Sequence, residues 1–137
     1  MTDIDTLAAR IRAELDAEEA VAQAATWADE AARWHVWRGK ESYERPFVII
    51  DSLDDGVTAV SAESSDTESV AEHIARQDPA TVLARVARDR RLLDLLLAEE
   101  HGFGWTEQCY GEPCLCGRDE RVAAYLAVLA EGYEERP

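Results

Sequence analysis

Basic residues are scarce in this chain of 137 residues: 14 Lys and Arg stand against 29 Asp and Glu, for a formal net charge of −15. A field of that sign repels nucleic-acid phosphates and anionic lipid, so direct nucleic-acid binding and a membrane-surface role are not expected. Long apolar runs are missing too. The densest, Leu92-Leu-Asp-Leu-Leu-Leu97, is broken by Asp94, and it falls well short of the ~20 residues that span a bilayer. The start, Met1-Thr-Asp-Ile-Asp5, is acidic where a secretory leader is basic. Cysteine is rare and odd in number, at three, which argues against a disulfide framework and fits a cytoplasmic, reducing location. Catalytic signatures are also lacking: the chain has no G-x-S-x-G, P-loop, H-E-x-x-H or Rossmann glycine fingerprint. Pro113-Cys-Leu-Cys116 is one residue short of the zinc-deaminase Pro-Cys-x-x-Cys, and no His-x-Glu precedes it.

What is present predicts one domain, residues 1–137, with 47% hydrophobic and 31% charged residues, an ordinary globular balance. The expected fold class is α+β, mainly helical. Ile4, Leu7, Ile11 and Leu15 recur every three or four residues and mark a long N-terminal helix. Alanine-rich sequence, with Val21 and Ala22 on the same stripe, extends it to about Arg33. Trp27 and Trp34 are expected to add bulk where the stripe thins, and His35 to pack between Trp34 and Trp37. Trp34-His-Val-Trp37, Pro46-Phe-Val-Ile-Ile-Asp51 and Gly56-Val-Thr-Ala-Val-Ser61 suit a small antiparallel sheet of two or three strands, with Asp55-Gly56 turning the last hairpin. Ser65-Asp-Thr-Glu68 matches a capping box and predicts a short helix ending at Gln77, with Val70, Ile74 and the alanines facing inward.

Asp78-Pro79 then ends one helix and starts another, because proline disfavours helical geometry just before it and is welcome at the first helical position. Val82, Leu83, Val86, Leu93, Leu96 and Leu97 give this next helix an apolar face to about Glu100. Residues 101–117 form a loop rich in cysteine, glycine and proline. A last helix carries Val122, Tyr125, Leu126 and Leu129 at core spacing.

That loop holds the most specific chemical cluster, His101, Cys109, Cys114 and Cys116. Imidazole and thiolate are the ligands zinc prefers, and four of them close a tetrahedral structural site. The loop has little apolar content, so metal binding would supply ordering energy that burial does not. The competing reading is three reduced cysteines with His101 as a cation at a helix end. His73, beside Arg76 and Asp78, reads as a histidine held by a neighbouring carboxylate rather than as a general base. Arg85, Arg88, Arg90 and Arg91 form a local basic patch, with Arg85–Asp89 and Arg90–Asp94 spaced to pair along one helix face. Asp51-x-x-Asp54-Asp55-Gly56 lacks the alternating acids and distal Glu of a calcium-binding EF-hand.

Val70-Ala-Glu-His-Ile-Ala-Arg-Gln-Asp-Pro-Ala-Thr-Val-Leu83, followed by Arg90-Arg-Leu-Leu, resembles the A-E-H-I-A-R-x-D-P-x-x-V-L hallmark of a family of small actinobacterial and actinophage proteins of unknown function. The likeness extends to the alanine-rich first helix, the cysteine loop and the ending Ala130-Glu-Gly-Tyr133. It implies an actinobacterial or phage origin, the helix–Asp-Pro–helix arrangement, and a histidine with cysteines in one loop. No activity comes with it. The expectation is therefore an accessory protein rather than an enzyme, one that binds a protein partner through an acidic helical surface, with a structural zinc and a homodimer as further features. Two alternatives are a nucleic-acid mimic that occupies the groove of a DNA-binding protein, and a small metal-dependent enzyme.

Overall fold

A computed structural model describes residues 3–37, 47–60, 67–101 and 116–133. The architecture is α+β and mainly helical. Helix α1 (Ile4–Ala24) is followed by a short 3-10 turn (Asp29–Ala32), strands β1 (Trp34–Trp37), β2 (Val48–Asp51) and β3 (Gly56–Ala59), and helices α2 (Thr67–Arg76), α3 (Pro79–Leu97) and α4 (Arg118–Glu131). The chain divides into two compact units: Glu18–Val86, and Met1–Ala17 together with Ala87–Pro137. Helices α1 and α3 contribute residues to both.

In the Glu18–Val86 unit, the three strands form an antiparallel sheet in the order β1-β2-β3. Trp34 lies opposite Asp51 and Trp37 opposite Val48. Between β2 and β3 the register shifts at Ile49/Ile50, so that Ile49 faces Thr58 and Ile50 faces Gly56. One face of the sheet buries Ile49 and Val60 against Ala71 and Ala75 of α2, with Trp34, Val36, Phe47, Val57 and Ile74 packed around them. The alanines let helix and sheet backbones approach closely, while the large strand residues supply the apolar area. Strand alternation turns His35 out to solvent, where the sequence suggested packing. Val70 is likewise exposed, because the inward stripe of α2 runs through Ala71 and Ala75. The Ser65 end of the expected capping box lies outside the described residues.

The β2–β3 turn is built on Asp51. Its buried carboxylate Oδ1 accepts hydrogen bonds from the backbone N–H of Leu53 (2.9 Å) and Asp55 (3.0 Å), an Asx arrangement that folds the chain back on itself. Asp54, not Gly56, takes the left-handed conformation, at φ 63°. Aspartate tolerates that region better than most residues with a side chain.

Helix α1 stops at Ala24, nine residues before the expected Arg33. Thr26 diverts the chain: its hydroxyl donates to the Ala28 carbonyl at 2.6 Å, offering the backbone an alternative to the helical ladder. Val21 and Trp27 are left exposed. At the other junction, Asp78 is buried and does two things. Oδ1 accepts the Thr81 N–H at 2.7 Å, capping α3, and Oδ2 accepts the Trp34 N–H of β1 at 3.1 Å. One carboxylate thus ties the start of α3 to the first strand of the sheet.

In the other unit, α1 buries Ala8, Ile11 and Leu15, α3 buries Leu93, and α4 buries Val122, Leu126 and Ala130. Each Val, Leu or Ile taken fully out of water contributes about 1.5–3 kcal/mol. Tyr125, expected in this core, is exposed because the buried stripe of α4 advances by four, from 122 to 126 to 130. The stripe continues into Tyr133, whose buried phenol donates to Asp89 Oδ2 of α3. Asp89 also accepts from Arg88 Nε at 2.7 Å, and that hydrogen bond raises the Arg88 guanidinium above its ordinary value. The patch arginines also reach beyond their own helix: Arg85 pairs with Glu18 at 2.5 Å within the first unit, and Arg90 with Asp16 at 2.6 Å within the second.

Candidate metal site at His101 and Cys116

Helix α3 ends at Leu97 with no basic residue in its last turn, so the negative end of its dipole has no cationic partner there. The partner arrives from α4. Arg118 Nη2 donates to the Leu97 carbonyl at 3.1 Å and its Nε to the Glu99 carbonyl at 2.8 Å. One turn on, Arg121 binds the Glu99 carboxylate through Nη2 (2.8 Å) and Nε (3.3 Å), and donates through Nη1 to the Cys116 carbonyl at 3.0 Å. The hydrogen bond to Glu99 raises the Arg121 guanidinium above its ordinary value. An arginine in the first turn of a helix opposes the helix dipole. Here Arg118 is recruited away from its own helix to close the end of another.

Gly117 makes this closure possible. It sits in the left-handed region at φ 72°, ψ 12°, with no side-chain cap on α4. An added Cβ would approach Arg121 Nη1 at 3.5 Å, an ordinary contact, so the demand for glycine comes from the backbone angle rather than from space.

His101 and Cys116, on either side of residues 102–115, meet at this clamp. His101 Nδ1 lies 3.3 Å from Cys116 Sγ, although the two are 15 residues apart in sequence. The other ring nitrogen, Nε2, faces Asp119 Oδ1 at 3.7 Å. Asp119 is itself held by Arg118 Nη1 at 2.8 Å. His101 and Asp119 are exposed and Cys116 half-buried, so a metal reaching them would not first have to open a packed core.

Of the four ligands expected from sequence, the structure brings His101 and Cys116 together. Cys109 and Cys114 lie outside the described residues. Among the described residues no three His, Cys, Asp or Glu side chains converge as a metal cluster. The donor chemistry of the pair, one imidazole and one thiolate, suits zinc. Sequence reasoning missed Asp119, Arg118 and Arg121. The signal for the arginines was available in Gly117-Arg-Asp-Glu-Arg121, which places two cations where a helix start prefers acids. His73 is exposed on α2.

Fold and site together define a small, mainly helical α+β protein in which a His–Cys pair brackets the segment that carries Cys109 and Cys114. The chain belongs to a family of unknown function (DUF6221), whose match covers residues 4–137, in keeping with the resemblance carried by the motif around Asp78-Pro79. No curated protein and no solved structure matches it. Among the described residues no helix is long and apolar enough to cross a membrane.

Proposed function

We propose that this protein is a non-enzymatic accessory protein. In this reading its cysteine loop is closed by a structural zinc on His101, Cys109, Cys114 and Cys116, and its acidic helices bind a basic protein partner. The observation that carries the zinc reading is the 3.3 Å approach of His101 Nδ1 to Cys116 Sγ. Two ligands of the right kind stand together at the two ends of the segment that contains the other two cysteines.

The partner reading draws on the net charge of −15 and on apolar side chains left in water on α3 and α4, namely Leu92, Leu95, Tyr125 and Val128. Exposed apolar anchors on a chain of net negative charge suit a partner surface that is basic and carries apolar area of its own. The non-enzymatic reading is favoured by how the buried carboxylates are used. Asp51, Asp78 and Asp89 are the groups an acid–base site would recruit, and they serve a turn, a helix cap and a phenol.

Metal analysis of protein purified without a histidine tag, with native mass before and after chelation, tests the zinc reading. One zinc per chain, lost on chelation, is the expected result. A chain that carries no zinc and takes none up refutes it. Retention by a basic partner that weakens between low and moderate salt is expected for the interaction reading; no retention at either salt removes it.

A further inference from the structure

We infer that His101, Cys116 and Asp119 form a preorganised zinc half-site in which His101 ligates through Nδ1 while the nearby Asp119 carboxylate favours the proton on Nε2. The inference rests on the zinc reading above for the remaining ligands.

The choice of nitrogen follows from which way the ring faces. Nδ1 is the atom turned to Cys116 Sγ, at 3.3 Å. Zinc binds thiolate at about 2.3 Å and imidazole at about 2.0–2.1 Å, and at a tetrahedral angle those bonds set nitrogen and sulfur about 3.5 Å apart. The observed spacing is close to that edge, so an ion inserts where the two atoms now share a proton, and the ring need not turn. Zinc taken up this way displaces the thiol proton to solvent, since the thiolate is the ligand.

Asp119 favours one tautomer. Its Oδ1 lies 3.7 Å from Nε2, too far for a hydrogen bond but within an ångström of one. A proton kept on Nε2 by this carboxylate leaves the Nδ1 lone pair free for metal, the usual arrangement in which a second carboxylate orients a ligating histidine. Arg118 Nη1 steadies Asp119 from the other side, at 2.8 Å.

Preorganisation comes from the clamp. Arg118 and Arg121 hold the end of α3 to the start of α4 through Leu97, Glu99 and Cys116, and these contacts need no ion. Both ligands therefore stand in place before metal arrives. Chelation is expected to leave α3 and α4 helical, unlike a zinc finger, which unfolds.

The test uses the full chain labelled with 15N in histidine and loaded with zinc. Long-range 15N–1H correlation is expected to show His101 protonated at Nε2 and metal-bound at Nδ1. A His101 protonated at Nδ1 and ligating through Nε2 overturns the half-site while leaving the zinc reading intact. A chain that takes up no zinc overturns the zinc reading itself. In cobalt(II) titrations, Asp119→Asn is expected to weaken binding about 10–100-fold, with Asp119→Glu restoring most of the loss. Unchanged affinity in Asp119→Asn also overturns the inference. The histidine spectrum of the unmodified chain decides the matter even where a variant folds poorly.

Discussion

At the scale of single residues, the buried acids carry more of the fold than their number suggests. Asp78 satisfies two backbone N–H groups from different elements, Thr81 and Trp34. Asp78→Ala loses a helix cap worth about 1 kcal/mol and strands a part-buried strand N–H, at about 1–2 kcal/mol more. A loss of about 2–3 kcal/mol in urea unfolding is expected, with Asp78→Asn falling between the two because one amide oxygen replaces two carboxylate oxygens. Asp89 presents a different case. Tyr133→Phe removes only the hydroxyl that donates to it, leaving a buried carboxylate short of one donor, and about 1.5–3 kcal/mol of stability is expected to go with it. Thermal unfolding of the two variants should move together in direction, and a Tyr133→Phe variant as stable as the parent would show that Asp89 is adequately solvated by its other contacts.

At the scale of elements, the ends matter more than the middles. Gly117 holds a left-handed angle between Cys116 and the start of α4, and Gly117→Ala is expected to cost about 1 kcal/mol from backbone strain; circular dichroism during denaturation reads that loss. The helix middles were legible in sequence because Ile11, Leu15, Leu93, Val122 and Leu126 repeat at helical spacing and are all buried. Val21, Val70 and Tyr125 are apolar too, yet they flank their stripes and are exposed. Residue type alone does not say how wide a buried arc is. The sequence carries helix α1 too far because alanine favours a helix locally, whereas the hydroxyl of Thr26 diverts the chain and no residue from 23 to 30 is buried. The candidate site was half legible. His101 and Cys116 declare themselves by chemistry, but the arginine clamp also binds the carbonyls of Leu97, Glu99 and Cys116, and a carbonyl leaves no mark in the sequence. Nor does residue type mark Asp119, whose part depends on which ring nitrogen faces it.

At the scale of the whole molecule, the charge balance is the dominant property, and its effect on stability has a definite sign. With −15 formal charges on 137 residues, like-charge repulsion favours any state that spreads the chain out. Salt screens that repulsion over a Debye length of about 10 Å at 0.1 M and about 3 Å at 1 M. It also weakens the attractive pairs, Arg85–Glu18, Arg90–Asp16 and Arg121–Glu99. Those pairs are partly or largely exposed, and such contacts are worth about 0–1 kcal/mol each, so screening them gives up little. Repulsion among the excess acids should outweigh that loss. Raising sodium chloride from 20 mM to 500 mM is therefore expected to raise the melting temperature. The same salt should weaken capture of a basic partner, because that association draws on the field being screened. The two effects must run in opposite directions. A melting temperature that falls with salt would mean that the attractive pairs hold the fold more than the surplus acids strain it, and the acidic surface would then be part of the architecture rather than a surface kept free for a partner.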